Sequence, residues 1–113
     1  MLIVNGTRFI STSKVVLATY LTGIVPNISQ IKSVCDENNI FLIEDISQSY
    51  GSESCNKKAG TFGIAAIGSL SPAKIISSIG GGFILMDDTN KIRFIDEIIR
   101  KELSLPSKKV LLG

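Results

Sequence analysis

Five residues in this 113-residue sequence have types and spacing that could do chemistry together: Glu44, Asp45, Ser69, Ser71 and Lys74. Asp45 ends "FLIED", an apolar run from Phe41 that stops on two carboxylates, Glu44 and Asp45. Ser69 precedes the "SPAK" segment that carries Lys74, and Lys74 opens the hydroxyl- and glycine-rich run "KIISSIGGG". A lysine amine is a nucleophile once deprotonated, the form that burial favours. Carboxylates can hold protons or cations, and hydroxyls can hold anions. The sequence has no histidine, so the usual triads and the commonest general base are excluded. Any reaction here rests on carboxylates, lysine, hydroxyls or a cofactor.

The elements that would position these residues are legible. Lys14 to Tyr20, "KVVLATY", reads as a buried strand. Asn27 is a good helix cap with Gln30 three residues on, and Ile28, Ile31, Val34 and Cys35 form one apolar face until Asn38-Asn39 ends the helix. Ile40 to Ile43 is a second strand. Strand, helix and strand make a βαβ unit, and strands without alternation suit a parallel sheet covered on both faces. Ser47 to Lys58 is too irregular to assign. Ile64 to Leu70 is a third strand and Phe83 to Met86 a fourth, after Gly80-Gly81-Gly82. Their link is too short for a crossover helix, so they are expected to pair antiparallel across the Lys74 loop. A last helix spans about Thr89 to Leu103, with Ile92, Ile95, Ile98, Ile99 and Leu103 on one face. Pro106 stops it before a tail, "SKKVLLG". The expectation is an α/β fold with a mixed sheet, mostly parallel with one antiparallel strand, and helices on its faces. In such sheets ligands sit beyond the carboxyl ends of the strands, where Glu44, Asp45, Ser69 and the Lys74 loop all fall.

Composition excludes several classes. A net charge of +2, with lysines paired only at Lys57-Lys58 and Lys108-Lys109, gives no nucleic-acid or polybasic membrane surface. No apolar run approaches the length of a membrane span, and "MLIVNGTRF" is not a signal peptide. Cys35 and Cys55 lack metal-ligand spacing, so no metal site is expected and two reduced thiols are the default. No P-loop or dinucleotide fingerprint is present.

Each chemical feature alone is commonplace: a strand-end aspartate is often a turn residue, a loop lysine is usually solvated, and triple glycine usually marks a turn. Their order and spacing, however, resemble the centre of the DegT–DnrJ–StrS aminotransferases. The matches are Glu44-Asp45, Gln48, Gly51, Gly60, Gly63, Ser69, Lys74 and Gly81-Gly82, between about Lys14 and Lys101. The resemblance implies fold type I, pyridoxal phosphate as cofactor, and amination of keto sugars carried on nucleotides, with glutamate as the amino donor. It implies that Lys74 forms the Schiff base with the cofactor and, once freed, shuttles a proton. It further implies that Asp45 pairs with the pyridine nitrogen, Gln48 contacts the ring or its phenolic oxygen, and Ser69 helps hold the phosphate. Glu44 receives no catalytic role and is expected to be a structural carboxylate. A cytoplasmic homodimer is the family precedent.

Three departures stand out. "GSL" lacks the aromatics that flank the serine in the family, Ile64 follows Gly63 where a polar residue is usual, and no glutamate precedes the glycine pair. Family members are several times longer. Residues 1–113 therefore read as one partial domain, the middle of the cofactor-binding large domain, without its upstream phosphate-binding segment or its smaller C-terminal domain. A lone middle section is expected to expose sheet edges and apolar faces, and to be inactive alone. The alternatives are a non-catalytic remnant or interaction module of the same fold and an unrelated small α/β switch domain. A phosphoacceptor switch needs a separate strand-end aspartate between Asp45 and Lys74, where the only acid is Glu53.

Overall fold

The structure is a computed structural model that describes residues 2–4, 7–9, 12–75 and 78–103. Pro106, Lys108-Lys109 and the tail lie outside the described residues. The chain opens with an antiparallel hairpin, β1 (Leu2–Val4) and β2 (Thr7–Phe9), in which Leu2 faces Phe9. This hairpin is an addition to the sequence expectations.

The expected βαβ unit follows: β3 (Val15–Thr19), α1 (Ile28–Glu37) and β4 (Phe41–Asp45). Asn27 caps α1, its side-chain oxygen accepting from the Gln30 N–H at 3.3 Å. Gln30 answers through the Asn27 side-chain amide, also at 3.3 Å, so the pair closes side chain to side chain. The unassigned stretch then folds into a turn over residues 47–51 and a two-residue hairpin, β5 (Glu53–Ser54) with β6 (Lys57–Lys58). Cys55 and Asn56 turn it with φ of 51° and 58°, the left-handed pair that a tight hairpin requires. β7 (Ala65–Ser69) and β8 (Gly82–Leu85) come next, and α2 (Thr89–Leu103) completes the described chain. Asp88 starts α2 by accepting from the Asn90 and Lys91 N–H groups at 3.1 and 3.2 Å. Its hydrogen bonds from Lys91 hold this carboxyl below the usual carboxylate range.

The main sheet has the order β3-β4-β7-β8. The first two pairings are parallel and β7 with β8 is antiparallel, as the short Lys74 link required. The core lies on one side, where Ile28, Ile31 and Cys35 of α1 pack on Ala18, Tyr20, Leu42 and Ile46, with Ala59 and Phe62 alongside.

Burial alternates along β4, which corrects the expectation of two covered faces. Leu42 and Glu44 are buried, whereas Val15, Leu17 and Phe41 are about half exposed at 49, 54 and 56%. The strands have the continuous apolar sequence of a doubly covered parallel sheet, and at these positions the described chain covers only one side. The expected exposed apolar surface is therefore present. An apolar dye should bind the isolated protein, and the Leu17→Lys/Phe41→Lys variant should bind markedly less. Equal dye fluorescence from both proteins would place the accessible apolar surface elsewhere. On α2, Ile92, Ile95 and Ile99 are half-buried, but Ile98 is 43% exposed beside Phe94, one turn before it on a second stripe. The expected single face is thus two.

Both cysteines are free. Burial first, and then the adjacent Asp36 carboxylate, push the Cys35 thiol upward. Cys55 lies exposed in its turn. A thiol reagent at neutral pH should therefore modify Cys55 rapidly and reach Cys35 only as the fold opens, with the two rates separable by stopped reaction and peptide mapping.

Candidate cofactor site

The site residues lie where the strands end. Thr19, Asp45 and Ile67 stand in register across three parallel strands. The Tyr20 N–H donates to the Asp45 carbonyl at 3.0 Å, and the Ile46 N–H to the Ile67 carbonyl at 2.9 Å, so the ladder holds to the strand tips. Asp45 is half-buried on the face opposite Glu44. Its Oδ1 accepts from the Ser47 N–H at 3.0 Å, which turns the chain away from the sheet.

That turn carries Gln48. Its side-chain oxygen accepts from the Thr22 N–H at 3.2 Å. A backbone N–H can only donate, so this contact fixes the amide orientation and leaves the Gln48 nitrogen as a donor to a ligand. Ser69 closes β7, with Oγ accepting from the Ser71 N–H at 3.3 Å and lying 3.3 Å from the Ser71 hydroxyl. Lys74 sits in the following turn, half-buried, with its N–H on the Ser71 carbonyl at 3.0 Å. The loop base is closed by the Leu70 N–H on Gly81 at 3.0 Å and the Ser78 N–H on Leu70 at 2.8 Å.

A cleft of about 510 Å³, lined by Thr22, Gly23, Gln48, Ala73, Lys74 and Ile75, gathers two of the four expected site residues, Gln48 and Lys74. Asp45 and Ser69 end strands of the same sheet and are not part of that lining. Thr22 and Gly23 were read only as a loop in the sequence. Their left-handed φ values, 53° and 80°, fold this loop so that it meets the Gln48 turn.

Glu44 is the structural carboxylate the sequence suggested, and it is fully buried. Its Oε2 accepts from the Tyr20 hydroxyl and the Gly60 N–H, both at 2.7 Å. Its Oε1 accepts from the Phe62 and Gly63 N–H groups at 2.6 and 2.7 Å. One side chain thereby ties the end of β3 and the segment leading into β7 to the strand that carries Asp45. Gly63 has no room for a Cβ against the Leu42 carbonyl, which explains a glycine there.

Burial first, then the bond and charge of Glu44, push the Tyr20 phenol far above the ordinary tyrosine range. Stability linked to this group is fully present below about pH 10, the unfolded value, and is lost as pH rises beyond it. Tyrosinate absorbance should therefore show a component that appears only with alkaline unfolding and vanishes in Tyr20→Phe.

Residues 5–105 match the DegT/DnrJ/EryC1/StrS aminotransferase family. The chain belongs to that family. It is 33% identical over 101 residues to the GDP-perosamine synthase of Vibrio cholerae, covering 89% of this chain and 26% of that protein. It is 36% identical over 94 residues to EpsN of Bacillus subtilis, named as a putative pyridoxal phosphate-dependent aminotransferase, covering 80% and 23%. Among solved structures, Escherichia coli GDP-4-keto-6-deoxy-D-mannose-3-dehydratase with bound hydrated PLP superposes with a TM-score of 0.72 at 32% identity, covering 89% and 26%. The chain thus spans about a quarter of these relatives.

The family depends on pyridoxal phosphate, and the donor set fits that group. An amine, an amide nitrogen free to donate, a carboxylate with one oxygen committed, and a hydroxyl stand at one sheet end. The cleft is of a size that holds a small molecule. The departure at Gly68 also has a structural counterpart: the Phe83 ring lies over it from the next strand.

Proposed function

We propose that this chain forms the cofactor-holding part of an aminotransferase that acts on keto sugars carried on nucleotides, with glutamate as the amino donor, in a cytoplasmic homodimer. The observation that carries the reading is the meeting of Lys74 and Gln48 in one cleft, beside the strand tips of Asp45 and Ser69. The names of relatives, a GDP-perosamine synthase among them, support the substrate class.

Pyridoxal phosphate, when bound, supplies an electron sink for charge developing on the substrate carbon. Lys74 would hold it through Nζ, and the same nitrogen, once released, would take and return the proton at the reacting carbon. Asp45 would keep the ring nitrogen protonated through the oxygen that Ser47 leaves free. Gln48 would donate from its amide nitrogen to a ring oxygen, and Ser69 would donate from Oγ to the phosphate.

A segment spanning about a quarter of its relatives is expected to bind cofactor without completing amino transfer alone. The test is a titration of the purified chain with pyridoxal phosphate, followed by visible absorbance. Saturable binding of one equivalent supports the reading. A linear, non-saturating signal equal to that of denatured chain would refute it.

A further inference from the structure

We propose that Phe83 is a positioning residue that locks the Ser69 strand tip against the Gln48 turn. The proposal rests on the cofactor-site reading above. Phe83 stands opposite Gly68 in the β7–β8 ladder, and Ser69 stands opposite Gly82. A side chain at Gly68 would overlap the Phe83 ring, so the ring occupies a slot that only glycine leaves open. A Cβ on Gly82 would come within 2.7 Å of the Gly68 carbonyl, so the two strands approach closely just where Ser69 sits. An aromatic ring laid across a cross-strand glycine shields its backbone and fixes the pairing register.

The same ring is half-buried against the main core and meets Tyr50 edge-on, with centroids 6.0 Å apart and planes at 80°. Tyr50 belongs to the 47–51 turn that carries Gln48. Phe83 therefore packs against Gly68, next to Ser69, and against Tyr50 of the turn that carries Gln48. Its effect on ligand binding runs through the backbone of residue 68 and through Tyr50.

The test compares pyridoxal phosphate with pyridoxal, which has the same aldehyde and no phosphate. Each is trapped on Lys74 of the intact chain with borohydride, and the yield ratio measures how well the phosphate is held. Ser69→Ala should erase the preference for the phosphorylated form. Phe83→Leu should lower it about 3- to 10-fold, the range that loss of an aromatic pair gives. Tyr50→Leu, at a half-exposed position that does not threaten folding, should lower the same ratio. The exchange Gly68→Phe/Phe83→Gly, which returns one ring to the same cross-strand pair, should restore it. If Ser69→Ala lowers the ratio but Phe83→Leu and Tyr50→Leu keep the wild-type value, the positioning role is overturned. If wild type itself shows no preference for phosphate, the site reading fails, and the inference falls with it.

Discussion

Glu44→Ala is expected to remove a large share of the chain's folding stability and to lower its urea midpoint sharply. The substitution leaves the Tyr20 hydroxyl and the N–H groups of Gly60, Phe62 and Gly63 without their acceptor. Each buried donor left unpaired costs about 1–3 kcal/mol. Even if water rescues two of them, the loss is about 2–6 kcal/mol, against about 5–15 kcal/mol for a typical domain. Among the described residues no cation pairs with the buried carboxylate, and these four dipoles hold it there. Glu44→Gln should be milder but still damaging, because its NH2 turns a donor toward donors. Urea unfolding followed by circular dichroism reads both variants. A Glu44→Ala midpoint equal to wild type would mean that the cluster contributes nothing to folding.

Lys74→Ala should abolish the visible absorbance that wild type develops with pyridoxal phosphate, while leaving the circular dichroism spectrum unchanged. Lys74 is half-buried in a turn, and its backbone N–H, rather than its side chain, donates to the Ser71 carbonyl. Removing the amine therefore takes away the covalent attachment point without opening the core. Asp45→Asn should weaken binding less, because the Asx turn to Ser47 survives in the amide. A Lys74→Ala protein that keeps the wild-type absorbance would assign the signal to other lysines.

Much of this was legible in the sequence. Periodicity and caps identified β3, α1, β4, β7, β8 and α2, and link length alone gave the antiparallel turn at Lys74. The lysine and the strand-end acid were visible because family spacing is carried by single residues. What escaped was set by tertiary contacts. Nothing local in "KVVLATY" or "FLIED" tells which face of a continuous apolar strand the chain itself will cover. The choice was made by α1 docking on Leu42 and Glu44, which left Leu17 and Phe41 open. The Glu44 cluster needed Tyr20 and Gly60, 24 and 16 residues away, to arrive together. Nothing local in "GSL" shows that the slot over Gly68 is filled by Phe83 of the neighbouring strand.

The most direct test of the central claim is to reduce the wild-type chain with borohydride in the presence of one equivalent of pyridoxal phosphate and map the label by mass spectrometry. The sequence has nine lysines, several of them exposed, and these serve as internal controls. The predicted result is label concentrated on Lys74, lost on denaturation and lost on Asp45→Ala or Gln48→Ala. Label spread evenly over Lys57, Lys58, Lys74 and Lys91 would contradict the account, because it would show Lys74 behaving as one more surface amine.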